Sequence, residues 1–295
     1  MNPKEQGFML LTSQLGDPER KPLTVAQFRA LAGRATQMQR PIDSRELTQE
    51  DLVDLGYDRP MAHRIIQLLD SKWILEHYLH RGNQWDCIPI SRVSETYPLP
   101  VHKRLGLDAP GCLWAKGDIS LLSMQSISLV GSRELSLPNR SFAEQVGIEA
   151  AKQGFVLVSG NARGADKVAQ DACLDHGGKV ICVVADELQK YPITNNVLYL
   201  SEDSFDLNFT NQRALSRNRI IHSLGYITLV AQCNGHKGGT WDGTVKNLRN
   251  RWSPVFCFAD GSETSVELEQ LGATLIELQE LLDLPKLQHN IISLL

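Results

Sequence analysis

Three short segments combine glycine with polar or basic side chains, a combination that suits the binding of phosphate. Glycine lets a ligand approach the backbone, arginine offers a forked cation, and the first turn of a helix presents free N–H groups to an anion. Each segment follows an apolar run, and two of them precede a helical pattern. The residues predicted to bind phosphate or nucleic acid here are Gly131, Ser132, Arg133, Ser159, Gly160, Arg163, Gly164, Asp166, Lys237, Gly238, Gly239 and Thr240.

Each segment also has a plainer interpretation. A simple strand-to-helix turn explains any one of them, because glycine-rich turns are common. Asp166 could complement the helix dipole in the first turn, or it could accept a hydrogen bond from a ribose hydroxyl, a base or a neighbouring arginine. Because three such segments follow successive strands, we favour one shared phosphate-binding crevice.

A fourth segment supplies positive charge. Arg213, Arg217 and Arg219, with Asn218 beside the last two, occur in a stretch without acidic residues. Residues 205–255 contain seven Lys and Arg and two acidic residues, a net charge of +5 in a chain whose formal net charge is −4. A charge run usually forms a solvated helix face, but these arginines lead into an apolar strand. We therefore predict that they contribute to a polyanion site.

The sequence predicts no catalytic residue, no cofactor and no metal. The G-x-x-x-x-G-K-[ST] order of a Walker A loop and the G-x-G-x-x-G dinucleotide fingerprint are both absent. The six cysteines have no C-x-x-C spacing and the eight histidines show no H-E-x-x-H, which argues against a structural metal. Because no nucleophile is paired with a base, we favour a binding protein over an enzyme.

The elements that position these segments follow an alternating pattern. From residue 126 onward, short apolar runs rich in β-branched residues alternate with helical patterns, which predicts a parallel sheet covered on both faces. The predicted fold class is α/β, with a Rossmann-like doubly wound parallel sheet that binds ligands at the carboxyl ends of its strands. The predicted strands are residues 126–130, 155–159, 179–185, 197–201, 226–231 and 254–259.

Two domains are predicted along the chain. Residues 1–105 show short helical patterns, with Thr24 and Thr48 as candidate N-caps, and are expected to form a small helical domain before the sheet. Residues 106–295 are expected to form the Rossmann-like domain with a C-terminal helical tail. The proline- and glycine-rich stretch 108–118 is interpreted as a loop, and the acidic amphipathic tail is expected to pack on the core or to form a dimer surface.

Composition and charge narrow the class of protein. The 295 residues are 42% hydrophobic and 22% charged, which argues against a disordered chain, a collagen-like repeat or a coiled coil. No apolar run approaches the roughly 20 residues that span a membrane, and the N-terminus lacks a secretory signal. We therefore expect a soluble, cytoplasmic protein with no membrane partner. The negative net charge argues against a uniformly basic surface but allows a local one.

Five motifs occur in a specific order. They are Gly-Ser-Arg at 131–133, Ser-Gly-x-Ala-Arg-Gly-x-Asp at 159–166, Tyr-Pro at 191–192, Ser-Glu at 201–202 and Arg-Asn-Arg-Ile-Ile at 217–221. From about Tyr97 to Phe258 the chain resembles the DNA-processing protein A family (DprA, also called Smf). The resemblance implies a Rossmann-like domain that binds single-stranded DNA, often as a homodimer, and that loads the recombinase RecA during natural transformation. It also implies that the binding pocket is lined by the first two glycine-rich segments together with Arg217 and Arg219.

The chain departs from the family pattern at several positions. Ala165 stands where the family usually has isoleucine, and Gln170 stands where it usually has histidine. The loop 238–241 and the strand end 258–261 also differ from the usual sequences. These departures indicate a divergent DprA-like branch, some members of which lie beside phage-defence genes. The resemblance therefore implies either a RecA-type recombinase or a defence protein as partner.

Three functions are compatible with these residues. The first, which we favour, is a protein that binds single-stranded DNA with strong salt dependence. The second is a nucleotide sensor or nucleotide-processing component of a defence system that binds one small ligand in the same crevice. The third is a protein-interaction module with a vestigial pocket. Aromatic residues for base stacking are few, and the candidates are Tyr191, Phe209 and Trp241.

Overall fold

The computed structural model describes residues 1–36 and 47–287. Thr24 and Thr48 each accept a hydrogen bond from a backbone N–H of the following first turn, so both are confirmed as N-caps. The helices are α1 (Pro3–Thr12), α2 (Val25–Ala35), α3 (Gln49–Asp54), α4 (Arg59–Asp70), α5 (Lys72–Gln84), α6 (Leu99–Leu105), α7 (Leu137–Lys152), α8 (Ala165–Asp175), α9 (Asn211–Leu224), α10 (Gly238–Asn250) and α11 (Glu263–Gln270). The strands are β1 (Ile88–Ser91), β2 (Cys112–Gly117), β3 (Ser126–Val130), β4 (Val156–Ser159), β5 (Lys179–Val184), β6 (Val197–Glu202), β7 (Thr228–Val230), β8 (Val255–Phe258) and β9 (Thr274–Ile276).

Within the described residues, nine strands form one sheet in the order β1-β2-β6-β5-β4-β3-β7-β8-β9. In this spatial order, all strands from β6 through to β9 pair parallel with one another, whereas β2 pairs antiparallel with both β1 and β6. Along the chain, β3 to β6 extend the sheet in one direction, and the chain then returns through α9 to place β7 on the other side of β3. Ligands bind at such a reversal in doubly wound folds. The predicted α/β, Rossmann-like class is confirmed.

The apolar strands explain why helices cover both faces of the sheet. Every residue of β3 and β4 is buried, as expected for strands between two helical layers. Leu129 belongs to the apolar cluster that contains Phe142 of α7, and its neighbour Val130 belongs to the cluster that contains Ile221 of α9. Accordingly, α7 and α8 form one layer, and α6, α9 and α10 form the other.

The stretch 108–118, interpreted as a loop, contains a buried strand. β2 pairs antiparallel with β6, and Trp114 at its centre is fully buried. The residues that favoured a loop lie at the two ends of this strand, at Pro110-Gly111 and at Gly117. The loop prediction is therefore wrong. Only four apolar residues lie between Pro110-Gly111 and Gly117, too few to give a recognisable strand pattern in the sequence. The short strands β1 and β9 are also absent from the predicted set.

The N-terminal helices contact the sheet through α1 and α5. Tyr78 of α5 packs edge-on against Trp114 of β2, with 5.3 Å between ring centroids. β1 follows α5 and pairs with β2. The sheet therefore includes residues from the range 1–105 that the sequence assigns to the helical domain.

The described part of the C-terminal tail packs on the Rossmann-like core. Leu281, Leu284 and Leu287 are buried. The side chain of Gln153, which directly follows α7, donates to the carbonyl oxygen of Leu281 (2.8 Å) and accepts from the backbone N–H of Leu284 (2.9 Å). The end of the predicted tail, residues 288–295, lies outside the described residues. Among the described helices, none is both long enough and apolar enough to cross a membrane.

Candidate nucleic-acid interface

A recess opens at the carboxyl edge of the sheet, between the loop after β3 and the loop after β7. Its main compartment has a volume of about 690 Å³. A small compartment of about 290 Å³ adjoins it, and Arg133 and Arg217 line both. We call the two compartments together the crevice. Its walls come from the loops after β3, β4, β5, β6 and β7 and from α9, so the topological reversal and the predicted segments coincide.

The loop after β3 is tied to the loops on both sides of it. The hydroxyl of Thr240 donates to the carbonyl oxygen of Gly131 (3.0 Å), and the backbone N–H of Ala165 donates to the carbonyl oxygen of Ser132 (3.1 Å). A Cβ atom on Gly131 would overlap the Cβ of Ala165, so this close approach requires glycine. The three predicted segments therefore meet at one place, and the exposed side chain of Arg133 lies at their junction.

The loop after β4 folds around a buried carboxylate. Asp166 accepts hydrogen bonds from the backbone N–H groups of Gly160 (3.0 Å) and Ala162 (3.2 Å). Burial raises the pKa of Asp166, and the nearby Arg217 guanidinium and the two N–H groups oppose that rise. Since only 6% of its surface is exposed, Asp166 holds the loop in shape rather than presenting a free acceptor to a ligand.

Arg217 lies across the glycine that follows β4. Its Nη2 donates to the carbonyl oxygen of Gly160 (2.9 Å), and a Cβ atom on Gly160 would overlap the guanidinium. Burial lowers the pKa of Arg217, and the charge of Asp166 opposes this effect. Its Nε is buried and has no hydrogen-bond partner among the described residues. Arg217 thus forms the boundary between the compartments, with part of its hydrogen-bonding capacity used inside the protein.

Two further predicted residues of the β4 loop are structural. Ser159 is fully buried, and its hydroxyl contacts the side-chain amide of Gln170. Gly164 has φ +85°, and a Cβ atom there would overlap the carbonyl oxygens of Ser132 and Arg133. Ser159 and Gly164 are not among the residues that line the crevice. Both residues pack the loop from within.

The first turn of α10 lies at the rim of the main compartment. No side chain caps this helix, and Gly238 at its start has φ +85°. Asn218 of α9 donates to the carbonyl oxygen of Gly239 (3.0 Å), which fixes the start of α10 against α9. The first N–H groups of a helix have no intrahelical partner, and here they adjoin the exposed Lys237. This end of the helix therefore suits an anion.

Two of the predicted arginines are engaged within the protein. Arg213 donates to the carbonyl oxygens of Ala185 (2.9 Å) and Leu207 (2.7 Å), and burial lowers its pKa. Arg219 forms a bidentate ion pair with Glu202 and does not line the crevice. The charge of Arg219 is therefore paired within the protein, and Arg213 joins three parts of the chain instead of offering a free charge.

Three cations are available at the crevice. Arg133, Arg163 and Lys237 are exposed, and within residues 1–36 and 47–287 none of their side chains has a hydrogen-bond or ion-pair partner. Lys237 lines the main compartment, Arg163 lines the small one, and Arg133 lines both. The free positive charges therefore follow the length of the crevice, as successive phosphates of one strand require.

Sequence reasoning missed several residues that line the crevice. Asn161 and Asn234 lie inside or beside the predicted segments, so an inspection of every polar side chain there would have found them. Leu215 has no polar signal and is found only from the structure. Of the aromatic candidates, Tyr191 and Phe209 line the small compartment, with Phe209 50% exposed. Trp241 packs instead against His236, with 4.8 Å between ring centroids.

A buried polar network lies one helical turn below Asn218. His222 of α9 is fully buried, and its Nδ1 lies 3.1 Å from the side-chain nitrogen of Asn247 in α10. Asn247 also accepts a hydrogen bond from the backbone N–H of Ser253 (2.9 Å). Burial, assisted by the charge of Arg217, lowers the pKa of His222 to about 3. A neutral histidine thus joins the two helices that carry the main compartment.

Because of this histidine, we predict that the free energy of unfolding falls in acid. The unfolded chain binds a proton at His222 below about pH 6.5, whereas the folded chain does so only near pH 3. From pH 6.5 down to about 3, His222 therefore lowers the free energy of unfolding by up to about 1.4 kcal/mol per pH unit. Urea unfolding at several pH values should show a shallower pH dependence for His222→Gln than for the wild type. Equal slopes would contradict this prediction, and His77→Gln controls for loss of an exposed imidazole.

Comparisons with known proteins agree with this architecture. A family model described as DNA recombination-mediator protein A matches residues 89–280. The DNA processing protein DprA of Streptococcus pneumoniae (strain ATCC BAA-255 / R6) is 32% identical over 248 residues, which cover 78% of this chain and 84% of that protein. The DNA processing protein DprA of Bacillus subtilis (strain 168) is 32% identical over 170 residues, which cover 54% of this chain and 55% of that protein.

Solved structures show the same fold. The X-ray structure of DprA from Streptococcus pneumoniae has a TM-score of 0.71 at 24% identity, and covers 96% of this chain and 99% of its own. A structure of DNA processing protein A from Helicobacter pylori, described for its single-stranded DNA binding mode, has a TM-score of 0.56 at 23% identity. It covers 67% of this chain and 94% of its own. The first match includes the helical region as well as the sheet.

Proposed function

The chain belongs to the DNA recombination-mediator protein A family, the DprA family of DNA-processing proteins, and we propose that it binds single-stranded DNA in the crevice. The observation that carries the proposal is the row of three unpaired, exposed cations, Lys237, Arg133 and Arg163, along two connected compartments. Phosphate contacts of this kind supply most of the affinity of sequence-independent nucleic-acid binding.

The shape of the crevice favours a single strand over a duplex or a mononucleotide. The small compartment, of about 290 Å³, has aromatic side chains on its wall, and the main compartment is more than twice as large. Bases of a single strand can turn out and stack on aromatic rings, whereas a duplex keeps its bases inside. A mononucleotide would leave one compartment and at least one cation unused. The crevice therefore suits several consecutive nucleotides.

Fluorescence anisotropy with a labelled single-stranded oligonucleotide tests the proposal. We expect binding that weakens as salt rises, with a slope of about −0.7 in log K against log salt for each phosphate contacted. Unlabelled single strands should compete, whereas a duplex of the same length and a mononucleotide should compete poorly. Absence of binding at low salt, or displacement by a mononucleotide, would refute the proposal and direct attention to a small nucleotide ligand.

We predict that base stacking on Phe209 contributes to the affinity for single-stranded DNA. Its ring is 50% exposed at the wall of the small compartment. Because a base–aromatic stack contributes about 1 to 3 kcal/mol, Phe209→Ala should weaken single-strand binding by that amount and leave the salt slope unchanged. Tyr226→Ala, which removes an exposed aromatic ring at the amino end of β7, is the matched control and should bind normally. Equal affinities for wild type and Phe209→Ala would exclude stacking at this position.

The family assignment extends the proposal to partners and location. We propose that the protein hands bound single strands to a RecA-type recombinase and acts as a homodimer in the cytoplasm. All six cysteines are free and buried, as expected for a reducing compartment. Pull-down of a RecA-type recombinase with and without bound single strands tests the partner, and light scattering tests the dimer.

A further inference from the structure

The connection from β6 to α9, residues 203–210, touches both the helical domain and the crevice. Its middle contacts α5, and its end carries Phe209 into the wall of the small compartment. We infer that Tyr78 and Arg81 of α5 are positioning residues for the small compartment and act through this connection. The inference rests on the proposed function, because its effect on binding is measured with single-stranded DNA as the ligand.

The contacts with α5 surround one carboxylate. Nη2 of Arg81 donates to Oδ2 of Asp206 (2.7 Å). The hydroxyl of Tyr78 lies 3.3 Å from Oδ1 of the same carboxylate and also contacts the hydroxyl of Ser204. The Asp206 side chain is only 19% exposed, so solvent screens these contacts less than it would on an open surface. Arg81 thus holds Oδ2 of Asp206 directly, whereas Oδ1 also accepts from the hydroxyl of Ser204 (2.5 Å), so Tyr78 acts on it both at its own 3.3 Å contact and through Ser204.

Two chains of hydrogen bonds lead from this connection to the small compartment. The carbonyl oxygen of Phe205 accepts from the backbone N–H of Leu188 (2.8 Å), three residues before Tyr191. The carbonyl oxygens of Leu207 and Asn208 accept from Arg213 (2.7 and 3.0 Å). Arg213 in turn donates to the carbonyl oxygen of Ala185 at the end of β5. Tyr191, Ala185 and Phe209 all line the small compartment.

Apolar packing alone would dock α5 without fixing this wall. The ring of Phe205 packs against Tyr78 and Trp114, with ring centroids 5.0 and 4.7 Å apart. Such packing is not directional, whereas hydrogen bonds to Asp206 fix the residue that immediately precedes the two carbonyl groups holding Arg213. Loss of the polar contacts should therefore leave the domains associated and allow the wall to move.

Tyr78→Phe tests the inference with a minimal change, because it removes one hydroxyl and keeps the ring. We expect about five-fold weaker single-strand binding, the equivalent of one net hydrogen bond, with the salt slope of the wild type. The matched control is Tyr97→Phe, which removes another buried hydroxyl, one that donates to the carbonyl oxygen of Pro110 (2.9 Å). Tyr97→Phe should bind as the wild type does.

A second variant guards against misfolding of the first, and a second measurement tests the inference without DNA. Arg81 is 43% exposed, so Arg81→Gln should fold and weaken binding, and Arg81→Lys should restore part of the affinity. Hydrogen exchange without DNA should be faster in residues 186–191 and 203–210 of Tyr78→Phe, and unchanged there in Tyr97→Phe.

The outcomes separate the inference from the proposed function. Wild-type affinity in both Tyr78→Phe and Arg81→Gln, with unchanged exchange, would overturn the inference while the proposed function stands. Equal weakening by Tyr78→Phe and Tyr97→Phe would also overturn it, because general destabilisation would then explain the loss. If the wild type fails to bind single strands, the proposed function fails. Faster exchange confined to the two segments would then still support positioning of this wall.

Discussion

Replacing Arg133 by alanine should weaken binding of single-stranded DNA roughly ten- to a hundred-fold at about 0.1 M salt, the loss expected for charge-assisted phosphate contacts. Arg133 lines both compartments, and its exposed side chain has no hydrogen-bond or ion-pair partner among the described residues, so the guanidinium is available to a ligand. The substitution removes no internal hydrogen bond and should leave the fold intact. Anisotropy titrations over a range of salt should also show a slope smaller by about 0.7.

The matched control for this prediction is Arg249→Ala. Arg249 is an exposed cation in the last turn of α10, so the variant loses the same charge roughly 15 Å along the helix from the crevice. We expect its affinity to stay within about two-fold of the wild type, since screening limits distant charges. Equal losses in the two variants would mean that net charge, and not the crevice, determines binding.

Arg217→Ala is a poorer test, although Arg217 belongs to the family motif. Its removal deletes the hydrogen bond to the carbonyl oxygen of Gly160 and leaves the buried Asp166 without the nearby positive charge. Losing a partner of a buried polar group commonly costs about 1 to 3 kcal/mol of stability, and more where the group is charged. A loss of DNA binding in this variant would therefore report unfolding of the β4 loop as readily as loss of a phosphate contact.

The fold could be predicted from sequence because its central strands are buried on both faces. Such strands appear as nearly continuous apolar runs, as in β4 and β5, and helical patterns separate them. The edge of the sheet gave no comparable signal. β2 has only four apolar residues between Pro110-Gly111 and Gly117, and its strand character depends on pairing with β6, which lies about 85 residues later in the chain. Long-range pairing of this kind leaves no local pattern.

The candidate site could be predicted in part, for a similar reason. Glycines that permit close backbone approach, such as Gly131 and Gly160, can be recognised in the sequence because they occupy fixed positions in a motif. Whether an arginine side chain is free or paired cannot be recognised in the sequence, because its partners lie elsewhere in the chain. Arg219 meets Glu202 and Arg213 meets Ala185, 17 and 28 residues away. Local net charge therefore overstates the positive charge that a ligand meets.

Replacing Gly164 by alanine should both destabilise the protein and abolish the site. Gly164 has φ +85°, and its missing Cβ makes room for the carbonyl oxygens of Ser132 and Arg133. With ψ at −128° as well, Gly164 adopts a backbone conformation that residues other than glycine rarely adopt, at a cost of about 1 to 3 kcal/mol. The overlap with two backbone oxygens adds to this cost, since backbone cannot move aside as a flexible side chain can. We expect a loss of about 3 kcal/mol or more in the free energy of unfolding, measured in urea.

Gly154→Ala separates the two causes of this loss. Gly154 has a similar φ of +76°, but an added Cβ would meet no atom within 4 Å. This variant should lose only the conformational part, about 1 kcal/mol, and should bind single strands normally. Gly164→Ala should in addition displace the Ser132–Arg133 backbone and reduce binding at least as much as Arg133→Ala does. If the two glycine variants are equally stable and bind equally well, the contact between the β3 and β4 loops is not what holds Arg133 in the crevice.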